Sequence, residues 1–351
     1  MELSKKIEEI MGKHKNDFSG VVLVKNNRDI IYSNAFGYAH MGWKIPNNMD
    51  TRFDTASITK LFTTVGILQL IDRGDISFDT RVIDFLGLKE TTISRDVNVF
   101  HLLTHTSGIA DDADEEEGED YEELWKLKPN YSVREAVDFL PQFILKPSKF
   151  KPGEKCNYNN VAFILLGLII EKVSVMNYRE YIQKNVFDKI GMSNTEFCSM
   201  DGINYNVAEG YTPIRDENGK IVHYRKNIYS YPPIGTPDSG AYTTASDLDL
   251  FVRELKNGKL LSEKLTRDTL KPKVNYRLVR NYKKMIGYCF EFSMDDSNKI
   301  ICIDKGGSNA GINNDFYYFP DLDITMVILS NNEYPTHTIK YEIMESLIKM
   351  K

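Results

Sequence analysis

Cysteine is scarce in this sequence, with four in 351 residues, and no run of 18 consecutive apolar residues occurs. The cysteines, at positions 156, 198, 289 and 302, are widely spaced and form no C-x-x-C pair, so we expect free thiols and no disulfide framework. The N-terminal segment lacks the apolar core of a secretory signal. These absences predict no membrane span and favour a cytoplasmic protein, although a secreted chain without its signal peptide would look the same.

The sequence also lacks any block of Lys and Arg, and its net charge is −6. An acidic chain is repelled by phosphate, so we expect no nucleic-acid partner. The acidity comes from one short run, because ten acidic residues lie between Asp111 and Glu123, and without them 44 basic residues would face 40 acidic ones. A solvated loop is the simplest interpretation of this run.

Motifs for phosphate, metal and α/β-hydrolase sites are missing as well. The sequence has no G-x-x-x-x-G-K-[ST], no G-x-G-x-x-G and no G-x-S-x-G. His101 and His105 are four residues apart, but no Glu follows His101 as in a zinc-binding H-E-x-x-H helix. We therefore expect helix-terminal or buried structural histidines and no metal site.

Strand-like segments lie at both ends of the chain, and helix-like segments lie between them. Strands are expected at 20–25, 29–33, 300–304, 315–319 and 324–330. Helices are expected from 61 to 73 (amphipathic), at 161–170, before 191, from a capping box at 246–249 to 258, and at 338–351. This order predicts an α+β fold, with an antiparallel sheet built from both chain termini and flanked by helices. We expect a discontinuous sheet domain (1–55 plus 235–351) and an inserted, mainly helical domain (56–234).

The string S-I-T-K at 57–60 has a spacing with physical meaning at a helix start. Residues i and i+3 share a helix face, so the Lys60 amine can reach the Ser57 hydroxyl. Burial and nearby positive charge would lower the pKa of that amine, and the Ser57 N–H, in the first turn, is available to an oxyanion. S-x-x-K also occurs at Ser148 and Ser346, but neither starts a helix. An ordinary N-cap is the alternative role for Ser57.

A second element places a Tyr and an Asn two residues apart, at Tyr158 and Asn160, in a loop before an apolar helix. In an extended loop both side chains point to one side. The tyrosine can carry a proton if lysines stabilise its phenolate, and the asparagine can orient Lys60 and bind a substrate carbonyl. Tyr32 and Asn34 share the spacing in the N-terminal hairpin, and a packed aromatic is the alternative role for Tyr158.

The third element is Lys305-Gly306-Gly307-Ser308, which follows the apolar strand expected at 300–303. Glycines beside a lysine would let a substrate backbone approach the strand edge, and the Ser308 N–H is a second candidate oxyanion donor. The alternative is a strand end with a Gly-rich turn.

These three elements, in this order and at these separations, resemble the serine β-lactamase and penicillin-binding-protein superfamily, in the branch of class C β-lactamases, DD-peptidases and related esterases. Two further strings are similar to signatures of that superfamily: HLLTHTSGI at 101–109 and SGAYTTASD at 239–247. The resemblance runs from about residue 18 to residue 330. The absence of a Ser-Asp-Asn string disfavours class A.

The resemblance implies that Ser57 is the acylated nucleophile and Lys60 its proton partner. It implies that Tyr158 is the general base in acylation and helps to activate the deacylating water. Asn160 would position Lys60 and the substrate amide. No metal or organic cofactor is implied, and the active site is expected in the cleft between the two domains.

The strand motif is implied to bind substrate. Lys305 would supply charge near Tyr158 and a substrate carboxylate, and the Ser308 N–H would complete the oxyanion hole with that of Ser57. The lactamase and peptidase pattern has Lys-Thr-Gly here, whereas Gly306 lacks the threonine hydroxyl that helps to hold a carboxylate. This departure argues against efficient penicillinase activity, and related esterases and peptidases also carry Gly-Gly at this place.

We therefore predict a serine hydrolase that forms an acyl-enzyme on Ser57 with a β-lactam, a D-alanyl peptide or a small ester. A non-turnover penicillin-binding or cell-wall-fragment-sensing module is the alternative, and a scaffold in which Ser57 only caps a helix is a third. In this superfamily the region after 101–109 lines the cleft, so the acidic run is also a candidate rim that disfavours anionic substrates. The partner is expected to be a small molecule or peptide, and the oligomeric state stays open.

Overall fold

The computed structural model describes residues 2–114, 117–280 and 282–348. The strands are β1 (Gly20–Lys25), β2 (Ile30–Phe36), β3 (Tyr38–His40), β4 (Ile45–Pro46), β5 (Phe53–Asp54), β6 (Tyr211–Arg215), β7 (Ile221–Lys226), β8 (Tyr242–Thr243), β9 (Val274–Val279), β10 (Tyr282–Ile286), β11 (Glu291–Met294), β12 (Ile300–Asn309), β13 (Ile312–Phe319) and β14 (Ile324–Ser330).

The α-helices and shorter helical turns complete the element list. The α-helices are α1 (Glu2–His14), α2 (Thr59–Asp72), α3 (Val82–Leu86), α4 (Val99–Leu103), α5 (Leu124–Leu127), α6 (Leu140–Phe143), α7 (Val161–Ser174), α8 (Tyr178–Ile182), α9 (Asp188–Ile190), α10 (Ala245–Lys256), α11 (Glu263–Thr269) and α12 (Thr336–Ile348). Turns of 3-10 helix cover Ala56–Ile58, Tyr121–Glu123, Asn130–Ser132 and Ala136–Phe139, and a π-helical turn covers Gln183–Phe187.

One antiparallel sheet organises the molecule. Within the described residues it has eight strands, in the order β2-β1-β14-β13-β12-β11-β10-β9. β1 pairs with β14, with Gly20 opposite Ser330, so an early strand and a late strand of the chain are neighbours. The prediction of an α+β fold with a sheet built from both chain ends is therefore confirmed. The division into two domains stays a prediction.

Both faces of the sheet are covered by helices. Successive residues of a strand point to opposite faces, so in β1 Val21 and Leu23 join the core that contains α2 and α7, whereas Val22 and Val24 pack with α1 and α12. A sheet buried on both faces needs apolar side chains at consecutive positions. This explains why β1 and β14 read as continuous hydrophobic runs.

Helices α2 and α7 form the interior of the helical layer and contact each other. The helix predicted from 61 to 73 is present, but its expected amphipathic character is wrong, because every residue of α2 from Thr59 to Leu70 is buried. A helix that is buried on all sides needs no polar face. No single described helix is long and apolar enough to cross a membrane, although the bent pair Val161–Ser174 and Tyr178–Ile190 passes that test together.

Several other elements differ from the sequence expectation. Helix α10 begins at Ala245 rather than at the predicted capping box, because the Thr244 side chain accepts a hydrogen bond from the Asp247 N–H at 3.2 Å. The C-terminal helix was expected at 338–351; it begins earlier, at Thr336, and positions 349–351 lie outside the described residues. Helix α1 and strands β9 to β11 were not predicted, since their polar and charged residues conceal the periodicity of the elements.

Candidate active site

Ser57 lies in the 3-10 turn that leads into α2. The preceding Ala56 has a left-handed backbone with φ of 44°, and its N–H donates to Asp54 Oδ1 at 2.7 Å. An alanine in this region is strained by about 1 kcal/mol, so the Asp54 carboxylate holds the turn that presents Ser57. No side-chain cap is found on this turn or on α2. The N-cap role considered for Ser57 therefore does not describe its side chain.

The Lys60 ammonium lies beneath the Ser57 hydroxyl and is buried. Its Nζ is 3.1 Å from Ser57 Oγ, 2.8 Å from Asn160 Oδ1 and 2.8 Å from the backbone oxygen of Asp238. Three oxygen acceptors suit the three hydrogens of a charged ammonium. The predicted contacts of Lys60 with Ser57 and Asn160 are both present, whereas sequence gave no sign of the Asp238 carbonyl.

Tyr158 also contacts Ser57, with its hydroxyl 2.8 Å from Ser57 Oγ. Two ammonium groups flank its ring: Lys305 Nζ is 4.6 Å and Lys60 Nζ is 5.1 Å from the ring centroid. Nearby positive charge favours the ionised form of a phenol. The structure thus brings together the tyrosine and both lysines that the sequence singled out.

Lys305 is buried and pairs with Glu291, with Nζ 3.1 Å from Oε1. Burial opposes its charge, but the neighbouring Cys289 and Glu291 outweigh burial and raise the pKa of the ammonium. Burial likewise opposes the charge of Glu291, yet Lys305 and Lys284 lower the pKa of that carboxyl to about 2. Lys305 therefore stays positively charged beside Tyr158. Glu291 was not singled out, because it lies on β11, an element that the sequence did not predict.

Residues 305–308 are part of a strand and not a Gly-rich turn, because β12 continues to Asn309. A Cβ atom at Gly307 would lie 2.2 Å from the Thr55 carbonyl oxygen and 3.2 Å from the Ser57 nitrogen, so β12 packs directly on the nucleophile turn. At Gly306 the nearest atom to such a Cβ is the Asn314 oxygen at 3.8 Å. Gly307 therefore permits strand-to-turn packing, while Gly306 is open to the cleft together with Ser308.

The contrast between the two glycines gives a stability prediction. Gly307→Ala is expected to lower the free energy of unfolding by about 1–3 kcal/mol, because β12 has to move away from the Thr55 carbonyl. Gly306→Ala, with ordinary contact distances, is expected to change it by less than about 0.5 kcal/mol. Chemical denaturation of both variants measures the difference. Equal stability of the two variants would contradict the packing described for Gly307.

His105 lies directly behind Tyr158, with ring centroids 4.6 Å apart. It is fully buried, and its Nδ1 accepts a hydrogen bond from the Asn159 N–H at 3.1 Å. Burial and the charges of Lys305 and Lys60 hold its pKa well below the ordinary value, so the ring is neutral. The expected buried structural histidine is present, but its contact with Tyr158 could not be inferred from the H-L-L-T-H-T-S-G string alone.

The acidic run is divided between the interior and the cleft. Asp111, Asp112 and Asp114 are buried, so the simple interpretation as a solvated loop is wrong for the start of the run. Further along, Glu119, Asp120 and Glu122 line a groove of about 500 Å³ that also contains Ser308 and Glu333. Positions 115 and 116 lie outside the described residues.

The remaining candidates lie away from this site. Ser148, in the second S-x-x-K string, is exposed, and Ser346, in the third, donates to the Glu342 carbonyl oxygen within α12. The Tyr32 hydroxyl donates to Glu8. Within the described part of the chain, no group of three or more His, Cys, Asp or Glu residues is arranged to hold a metal ion.

The central strands, the buried helix carrying Lys60 and the convergence of three motifs on Ser57 define the class of fold shared by serine β-lactamases and penicillin-binding proteins. A family model described as Beta-lactamase matches residues 3–346. The chain belongs to this family.

Individual relatives agree with this assignment. The chain is 29% identical to a penicillin-binding protein of Bacillus subtilis strain 168 in an alignment of length 343 that covers 93% of this chain and 71% of the relative. It is 26% identical to Protein flp of Staphylococcus aureus over 72% of this chain, and it spans only 48% of that protein.

Two solved structures are similar over nearly the whole chain. A penicillin-binding protein from Bacillus halodurans superposes with a TM-score of 0.88 at 35% identity, covering 98% of this chain and all of that one. The octameric penicillin-binding protein homologue from Pyrococcus abyssi superposes with a TM-score of 0.82 at 26% identity, covering 99% of this chain and 76% of that one.

Proposed function

We propose that this protein is a serine hydrolase that forms an acyl-enzyme on Ser57. The observation that carries the proposal is the position of Ser57 Oγ, 2.8 Å from the Tyr158 hydroxyl and 3.1 Å from Lys60 Nζ. A nucleophile within hydrogen-bond reach of a proton acceptor, which is itself held by charged neighbours, is the arrangement that covalent catalysis requires. Membership of the Beta-lactamase family supports the same chemistry.

In the proposed reaction Tyr158 takes the Ser57 proton while Oγ attacks the substrate carbonyl carbon. Lys60 donates to three oxygens, which favours its role as a fixed positive charge over that of the first proton acceptor. The N–H groups of Ser57 and Ser308 would stabilise the oxyanion. Tyr158 would then return the proton to the leaving group and activate the water that cleaves the acyl-Ser57 bond.

The proposed substrates are β-lactams, D-alanyl peptides and small esters. Gly306 supplies no hydroxyl for a substrate carboxylate, which favours the peptides and esters over efficient penicillin hydrolysis. The second candidate is a module that is acylated by penicillin or a cell-wall fragment without turnover. The charged Lys305 beside Tyr158 supports binding of an anionic group in either case.

Intact-protein mass spectrometry tests the proposal after incubation with a labelled penicillin and, separately, a p-nitrophenyl ester. We expect turnover of at least one probe, with a transient mass increase that peptide mapping locates on Ser57. A permanent adduct on Ser57 without product release would support the binding module instead. Neither adduct nor turnover with either probe would overturn both functions.

The acidic groove beside Ser308 predicts a preference for cationic substrates. Replacing Glu119 and Glu333 with Gln is expected to lower kcat/KM for an ammonium-bearing ester by about 3- to 10-fold at low salt, because two carboxylates attract the cation across the groove. High salt should remove most of the difference. The neutral ester and the remote variant Glu263→Gln serve as controls. A cationic preference that salt and the substitutions leave unchanged would sink the carboxylate-rim hypothesis.

A further inference from the structure

The loop that carries Tyr158 and Asn160 is fastened by side chains at each backbone N–H from 159 to 162. The Asn159 N–H donates to His105 Nδ1 at 3.1 Å. The Ala162 N–H donates to Asn159 Oδ1 at 2.7 Å. Between them, the N–H groups of residues 160 and 161 donate to one carboxylate, that of Asp111. Side chains therefore fix this boundary between the loop and α7.

Asp111 makes the central contacts of this arrangement. Its Oδ2 accepts from the Asn160 N–H at 2.8 Å, and its Oδ1 accepts from the Val161 N–H at 3.0 Å. Asn160 in turn holds Lys60 Nζ at 2.8 Å through its own side chain. A carboxylate that accepts hydrogen bonds from two successive N–H groups fixes both the position and the orientation of that backbone segment. Because Tyr158 is two residues before Asn160, a change at Asp111 is transmitted to both partners of Ser57.

We propose that Asp111 is a positioning residue for acyl transfer, which fixes Tyr158 against Ser57 and Asn160 against Lys60 through the backbone of the 158–161 loop. This inference rests on the proposed hydrolase function and adds to it a residue that contacts neither the substrate nor Ser57. The first carboxylate of the acidic run thus acts from behind the site, while later members of the run line the cleft.

Only the ionised form of Asp111 presents two full acceptors to these N–H groups. Burial raises its pKa to about 6, although the two N–H donors and the charge of Lys60 act in the opposite direction. The pKa of the neighbouring Asp112 carboxyl is raised well above its ordinary value by burial and by the charges of Asp111 and Asp238. Burial and mutual repulsion therefore favour a single negative charge on the pair, and the two N–H donors favour Asp111 as the residue that carries it.

The other charged groups near this pair face it from two packed segments. Lys60 faces it from α2, while Lys146 donates to the backbone oxygens of Asp111 and Asp112 at 2.7 and 2.8 Å. The Lys149 ammonium pairs with Asp114, three residues after Asp111 in the chain. The raised pKa of Asp111 means that its ionisation costs stability as pH rises through about 6, and that this cost is absent below the unfolded-state pKa.

Three Asp→Asn variants test the proposal with the p-nitrophenyl ester as probe. Asp111→Asn is expected to lower kcat about 10- to 100-fold with KM changed by less than about threefold, because an amide accepts from only one of the two N–H groups. Wild-type kcat should fall as pH falls through about 6, and the variant should lack this step. Asp112→Asn replaces a neutral acid by a neutral amide and should keep both kcat and the step. Asp114→Asn should lose the Lys149 pair and some stability, but not kcat.

A second readout is independent of turnover. In the wild type and in Asp112→Asn, the backbone amide resonances of Asn160 and Val161 should titrate with a midpoint near pH 6, whereas in Asp111→Asn they should not. Amides that do not titrate in the wild type would overturn the positioning role, whatever the enzyme does. If the amides titrate but no probe is turned over or attached, the hydrolase function fails, while the contacts of Asp111 with the 158–161 loop are supported. Equal losses of kcat in all three variants, in proportion to stability, would reduce Asp111 to a structural residue.

Discussion

Ser57→Ala is expected to reduce turnover of every accepted substrate by about 10⁴- to 10⁶-fold, the range seen when the nucleophile of a serine hydrolase is removed. The Ser57 hydroxyl lies within hydrogen-bond distance of both the Tyr158 oxygen and Lys60 Nζ, and alanine supplies no oxygen to replace it. The mass increase with labelled penicillin should vanish as well. Steady-state hydrolysis and intact mass measure the two losses.

The second S-x-x-K string supplies a matched control for this experiment. Ser148→Ala removes an equivalent hydroxyl from an exposed position and should leave turnover unchanged. If Ser57 had only a structural role, Ser57→Ala would leave turnover and the mass increase with labelled penicillin as they are in the wild type. That pattern would contradict the acyl-enzyme.

Tyr158→Phe is expected to lower kcat by about 10²- to 10⁴-fold, the contribution of a positioned proton carrier. The substitution removes one oxygen and keeps the ring on His105 and beneath the two ammonium groups. Packing is therefore preserved, and the melting temperature should change little. Single-turnover kinetics with the ester should show that the acylation step itself has slowed.

Tyr32→Phe is the control for the tyrosine, because Tyr32 belongs to the other Y-x-N string of the chain. The substitution removes the hydrogen bond from the Tyr32 hydroxyl to Glu8, which links β2 to α1, and should cost about 1 kcal/mol of stability without any change in kcat. A Tyr158→Phe variant with wild-type acylation would remove Tyr158 from the proposed proton path and leave Lys60 as the acceptor.

The local parts of the site could be predicted from the sequence, and the parts assembled across the chain could not. Ser57 and Lys60 share a helix face, and Tyr158 and Asn160 share a loop, so short spacings reveal them. The Asp111 side chain accepts from backbone N–H groups, and the Asp238 backbone oxygen accepts from Lys60. Residue type gives no signal for either contact. Acidic composition even pointed away from the role of Asp111, because charged runs are usually solvated.

The fold shows the same division. Apolar strands such as β1 and β14 are evident because both of their faces are buried. β12 was predicted to end early because consecutive glycines weaken a strand pattern, and packing against the Thr55 carbonyl is what requires the second of them, Gly307. β10 carries Lys283 and Lys284, and Lys284 is buried against Asp304 on β12, two strands away in the sheet, a pairing that only the folded sheet reveals.

The pairing of β1 with β14 has a consequence for how the site comes into being. Contacts such as the Ser330 hydroxyl on the Ser19 carbonyl oxygen join residues 311 positions apart. Closing so long a loop is slow, and until it closes the β1–β2 hairpin keeps an unpaired, apolar edge. The strand with Lys305 packs on the turn with Ser57 but leaves the ribosome 248 residues after it. A growing chain therefore contains its nucleophile long before it contains the Lys305 charge and strand β12, which complete the site around Ser57.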